Sequence, residues 1–205
     1  MTHSPMFQRF VESVAGKGTQ WREDVDMEAL RALEDEERRE AEELLMRRLD
    51  DNDTRAARAL AEIKCRGAVA PMQKAYPNAK GRMKVAITLA LRDLEVAPAD
   101  PMIAEILRSG DLDGGVPAIA AARSMNTPEM VDALAWAALH HPDPNVRKSA
   151  GSILIYHSGA TNDPLAWKQR PLYLPLGSED LAVRRSAFRE ICKIASFPLE
   201  LADTL

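Results

Sequence analysis

An apolar triad with the spacing i, i+4, i+7 recurs five times along this 205-residue chain, and no other feature constrains the fold as much. Its copies are Ala56, Leu60, Ile63; Ile87, Leu91, Leu94; Ala118, Ala122, Met125; Ala150, Leu154, His157; and Ala187, Ile191, Ile194. Only His157 breaks the apolar rule. Residues three and four apart share one face of an α-helix, so each triad marks a buried stripe. The first members are separated by 31, 31, 32 and 37 residues, which leaves room for a second helix and two short turns. Each unit therefore reads as a helical hairpin. One hairpin cannot bury its stripe alone, so the units are expected to stack.

The intervening segments supply the other helices, at 37–49, 68–76, 101–108, 128–140 and a poorer one around 164–173. Pro77, Gly110, Pro142 and Gly177 stop helices or start turns, while Asp143 and Asp180 sit where a carboxylate caps the next helix. Pro101, Pro128 and Pro144 fit a first helical turn, where the missing amide costs nothing. Aromatic residues are only 5% of the chain and β-branched residues rarely alternate with polar ones, which argues against any sheet architecture. The expectation is an all-α chain folded as a single domain over 1–205. It has an N-terminal helical cap at 1–36 built on helices at 7–14 and 27–33, about five hairpins at 37–196, and a tail at 197–205.

Two second-helix segments, Asp143-Pro144-Asn145-Val146-Arg147-Lys148-Ser149-Ala150 and Asp180-Leu181-Ala182-Val183-Arg184-Arg185-Ser186-Ala187, resemble the signature of HEAT repeats. In that family Asp, Val, Arg and Ala hold fixed offsets. The resemblance implies a right-handed α-solenoid in which Asp and Arg of successive repeats form a ladder and the second helices line the concave side. Here the Arg offset is filled by Asp53, Lys84, Gly115, Arg147 and Arg184, so only the last two repeats match fully.

The net charge of −4 conceals blocks of opposite sign. Residues 23–53 hold fourteen Asp and Glu against five Arg, whereas 54–92 hold nine Lys and Arg against Glu62 alone. The acidic stretch 34–48 reads as a solvated helix face with i,i+4 pairs such as Glu34–Arg38, and it repels nucleic acid. In each second helix, three offsets point away from the core stripe: Thr54, Arg58, Ala61; Val85, Leu89, Arg92; Val116, Ala120, Arg123; Lys148, Ser152, Ile155; and Arg185, Arg189, Cys192. Six of these fifteen are basic and none is acidic. Two readings stay open: long basic stems covering helix surface, or a positive face that recruits an acidic protein. The second reading makes Arg58, Arg92, Arg123, Arg185 and Arg189 partner contacts, with Trp167 and Tyr173 in the longer last repeat as aromatic anchors. A rival contact is the acidic block around Glu36, Glu40 and Glu43.

Catalytic signatures are sparse. His140 and His141 are adjacent and so do not face one ligand, and no His-x-x-x-His or Cys-x-x-Cys accompanies them. Cys65 and Cys192 form no disulfide framework and lack a local Cys–His arrangement. Gly16-Lys17-Gly18-Thr19 lacks the preceding strand and the glycine spacing of a phosphate loop. Trp21 and Trp136 are scattered, and Trp136 falls in an apolar helix that reads as core. No catalytic residue, metal or cofactor is expected. No stretch approaches the roughly 18 apolar residues of a membrane span, and the start lacks a secretory pattern, so the expectation is a cytoplasmic protein without membrane insertion.

These features point to a non-enzymatic protein-binding scaffold. Resemblance to small HEAT-like proteins narrows this to an immunity protein that neutralises a cognate toxin, or an adaptor for one. The alternative, from a different class, is a nucleic-acid-binding or repair protein similar to the alkylpurine DNA glycosylases. It is weakened by the negative net charge and by outward positions that lack both carboxylates and aromatics. A third resemblance, to chromophore-attachment lyases, has no support beyond the repeats.

Overall fold

The computed structural model describes residues 3–15, 24–164 and 166–204, and every regular element among them is helical. The all-α expectation holds. The Gly16–Thr19 motif and Trp21 lie outside the described residues. The chain divides into two compact units, one of Met1–Ala79 with Ala86–Pro98, the other of Lys80–Val85 with Ala99–Leu205.

The first unit contains α1 (Pro5–Ala15), α2 (Met27–Ala32), α3 (Asp35–Asp50), α4 (Thr54–Glu62), α5 (Val69–Ala75) and the C-terminal part of α6 (Gly81–Asp93). Asp26 and Asp53 cap α2 and α4 by accepting from the amides of Ala29 and Arg55. Phe7, Phe10 and Val14 are the buried stripe of α1, which packs on α2 and α3, and α3 buries Ala41, Leu45 and Leu49. Much of the acidic block is structural. Glu37 of α3 accepts from both the amide and the hydroxyl of Ser4 at 2.6 Å, and the Ser4 hydroxyl in turn accepts from the amide of Phe7 at 3.1 Å. Those bonds hold the Glu37 carboxyl below its ordinary range, the Ser4 hydroxyl contributing most. Arg38 closes the unit from the other side, donating to the carbonyls of Leu30 and Ile63.

The second unit holds α7 (Ala99–Ser109), α8 (Leu112–Ala122), α9 (Pro128–His140), α10 (Pro144–His157), α11 (Arg170–Tyr173), α12 (Leu181–Ala195) and α13 (Leu201–Thr204). Within it α7 pairs with α8 and α9 with α10. The hairpins then stack in layers, α7 against α9, α8 against α10 and α10 against α12. Asp111, Asp143 and Asp180 cap α8, α10 and α12 as each chain turns into its second helix.

Segment 164–173 is not one helix. It breaks into a 3-10 turn at Trp167–Gln169, the single turn of α11, and another 3-10 turn at Leu174–Gly177, because Pro171 and Pro175 withhold the amides that a continuous helix requires. Likewise 68–76 splits into a 3-10 turn at Arg66–Ala68 and α5. The end of the expected tail folds back: α13 packs on α12, Ala202 is buried, and Asp203 pairs with Arg189.

In all five triads the first two members are buried, Leu60, Leu91, Ala122, Leu154 and Ile191 among them. The third member is buried only at Leu94 and Met125, and Ile194 is 42% exposed.

Two arginines at the family-like offset lock the second unit. Arg147 is almost wholly buried and donates to the carbonyls of His141, Pro142, Leu176, Gly177 and Ser178, and to the Glu179 carboxylate. Arg184 donates to the carbonyls of Leu139, Ser178 and Glu179. These forks satisfy backbone acceptors left open where helices end. They also link α9, α10, α12 and the turn at Leu174–Gly177.

Candidate functional site

Against α10 lies a pocket of about 190 Å³ lined by Ile119, Ala120, Arg123, Lys148, Ser149, Ser152, Ile153, Pro164 and Tyr173. Ile119 and Ala120 come from α8, Arg123 from its C-cap, and residues 148–153 from α10. Pro164 and Tyr173 come from the last repeat, whose longer spacing brings them over α10.

The lining is mostly apolar. Of its two serines the buried one, Ser152, already donates to the carbonyl of Pro164, which ties the loop before Trp167 to α10. Two cations complete the pocket, and the fold holds both. The Arg123 guanidinium sits 6.0 Å from the centroid of the Tyr156 ring, a cation–π distance. The Arg123 carbonyl accepts from His157 Nε2 at 3.1 Å, and Asn126 donates to the His157 carbonyl, so the ends of α8 and α10 are tied together. Lys148 runs its aliphatic stem along Gly177, where an added Cβ would stand 3.2 Å from its Cδ. Among the described residues neither Arg123 nor Lys148 has a carboxylate partner.

The other expected contacts divide differently. Arg58 pairs with Asp24, Arg92 with Asp93 and Arg189 with Asp203, so three of the five arginines already have acidic partners, two of which an offset count along single helices cannot reveal. Arg185 is half-buried and its Nε has no partner among the described residues. Tyr173 is buried and lines the pocket, whereas Trp167 is 77% exposed with Arg170 stacked on its ring at 4.5 Å and does not line it. Structure thus brings together Arg123 and Tyr173 of the expected set and adds Lys148, Ser149 and Pro164. Lys148 was legible as one of the outward offsets. Pro164, from a segment without helical periodicity, was not. Five of the fifteen outward offsets are buried, namely Ala61, Val85, Ser152, Ile155 and Cys192, so an outward offset along one helix does not ensure exposure.

The acidic rival is largely engaged within the first unit: Glu36 pairs with Arg39, and Glu40 with His3.

The two cysteines, His141 and His157 are each shaped by burial or by a neighbour. Burial pushes the Cys192 thiol up to about 11 and also raises Cys65, which leaves both thiols protonated at neutral pH. His141 is fully buried, its Nδ1 accepting from the Asp143 amide at 3.1 Å, and burial lowers its affinity for a proton. His157 is engaged by Arg123 through its backbone. Among the described residues no three His, Cys, Asp or Glu side chains come together as metal ligands, and no helix is long and apolar enough to cross a membrane. Comparison with family models, curated proteins and solved structures found no match to this chain.

Proposed function

We propose that the chain is a non-enzymatic protein-binding module of HEAT-like architecture whose contact surface is the α8–α10 pocket. One observation carries this reading: two cations without carboxylate partners among the described residues flank a mostly apolar pocket of about 190 Å³. That volume is below the roughly 300 Å³ at which whole small-molecule sites begin, and it suits the anchor side chain of a protein partner. Stacked hairpins and the arginine forks of Arg147 and Arg184 agree with the repeat resemblance, and such arrays present rigid binding faces. In its narrowest form the reading is an immunity protein that neutralises a toxin or effector, or an adaptor that presents one.

A photo-crosslinking residue at position 120 tests the proposal, with one at position 58 as control. Cross-linking in the cells that make the protein is expected to attach one defined polypeptide at position 120 and not at 58. Equal labelling at both positions, or attachment to nucleic acid, would overturn it.

A further inference from the structure

We infer that the pocket's occupant is an acidic protein segment that inserts one large apolar side chain and places carboxylates against Arg123 and Lys148. The inference rests on the protein-binding reading and adds the chemistry of the partner. Three features of the pocket fix that chemistry.

Size comes first. A space of about 190 Å³ accepts a single side chain rather than a folded ligand. Its walls are Ile119, Ala120, Ile153, Pro164 and Tyr173, and the Ser152 hydroxyl is engaged by the Pro164 carbonyl. A polar side chain pushed between those apolar walls would lose water without adequate compensation, whereas an aliphatic or aromatic one gains by burial.

Charge decides the flanks. Among the described residues both charged side chains that line the pocket are cations, and no Asp or Glu lines it. Of the other four outward cations the chain supplies acids to three, Asp24 for Arg58, Asp93 for Arg92 and Asp203 for Arg189, while Arg185 has none among the described residues and does not line the pocket. At Arg123 and Lys148 the described residues supply none. A partner carboxylate would complete them, with the guanidinium already beside Tyr156 and the lysine stem along Gly177.

Position gives the third feature. The carriers of the two cations belong to successive second helices, α8 and α10, which pack side by side. An occupant must therefore run across the helices, with its apolar anchor between two acidic positions.

A peptide-display selection on the immobilised full-length chain tests this. Enriched peptides are expected to carry one Phe, Leu, Met or Trp flanked by Asp or Glu. The strongest of them, synthesised as a probe, should lose at least about tenfold in affinity when its apolar anchor becomes Ala. It should lose as much on the Arg123→Glu, Lys148→Glu double variant, and on Ala120→Trp, which fills the pocket from an exposed position. Far-ultraviolet circular dichroism identifies any variant that fails to fold, and Arg123→Gln with Lys148→Gln then replaces the charge reversal. Enriched peptides without acids, affinity indifferent to the charge changes, or displacement of the probe by a random DNA duplex would each overturn the inference. Loss on Ala120→Trp with indifference to charge would overturn the acidic occupant alone and leave the protein-binding reading standing. Enrichment that ignores both changes would remove the two together.

Discussion

The imidazole of His141 occupies the space that a side chain on Gly115 would need: a Cβ there would lie 2.7 Å from Nε2 and 2.8 Å from Cε1. Gly115 stands at the offset that Arg147 and Arg184 fill in the next two repeats. Where Arg147 reaches the following turn with its guanidinium fork, this junction uses a buried ring from the following turn reaching back. The exchange of arginine for glycine is thus a change in how two hairpins are joined.

Gly115→Ala should destabilise the protein. In an open helix the exchange gains up to about 1 kcal/mol from backbone propensity. Here the methyl group collides with His141 and with Val146 Cγ2 at 2.9 Å, and overpacking of this kind costs roughly 1–3 kcal/mol. A urea midpoint below that of wild type with an unchanged slope is the expected result.

Stability should fall as pH drops below about 6.5, the ordinary imidazole value. Burial holds His141 below that value in the folded state, so the unfolded chain takes up its proton first. The contribution is complete above the ordinary value and declines as pH falls towards the lower folded one. His141→Phe should flatten this part of the profile. A second loss is expected below the ordinary aspartate value of 3.8, where Asp111, held low chiefly by the Gly114 amide and also by the amides of Gly81 and Asp113, becomes protonated.

Arg147→Ala should cost more than about 3 kcal/mol, because it strips the buried carbonyls of His141 and Leu176 of a charged donor. Arg147→Lys should recover only part, since an ammonium cannot reproduce the planar fork. The Glu179 partner is well exposed, and Glu179→Gln should change stability by less than about 1 kcal/mol.

Leu91→Asp should abolish cooperative folding of the first unit. The side chain is buried, and the substitution leaves a carboxylate without a partner in an apolar setting. Native melting of this variant would mean that the i, i+4, i+7 register is misread.

Much of the fold was legible because helical periodicity and capping are local. The span 128–140 was read from Pro128 and the His140-His141-Pro142 ending and is α9 (Pro128–His140); Asp143 and Asp180 cap as read. The last first-helix was misread because three prolines lie in 164–175 and each favours a turn. The candidate site was half legible. Offsets along one helix identified Arg123 and Lys148 as outward, yet they could not tell an outward residue from one covered by a neighbour, as at Ile155 and Cys192. Nor could they reveal which cations find acids elsewhere: Asp24 is 34 positions from Arg58 and Asp203 is 14 from Arg189.

The most direct test of the central claim compares partner affinity across two sets of charge reversals. Arg123→Glu with Lys148→Glu removes the two cations of the pocket, which have no acid beside them among the described residues, while Arg58→Glu with Arg92→Glu removes cations that already have one. Titration calorimetry with the polypeptide captured at position 120 should give a loss of more than about 2 kcal/mol for the first pair and a change within about 0.5 kcal/mol for the second. Equal losses for both pairs, or full affinity after reversal at Arg123 and Lys148, would contradict the assignment of the α8–α10 pocket as the binding site.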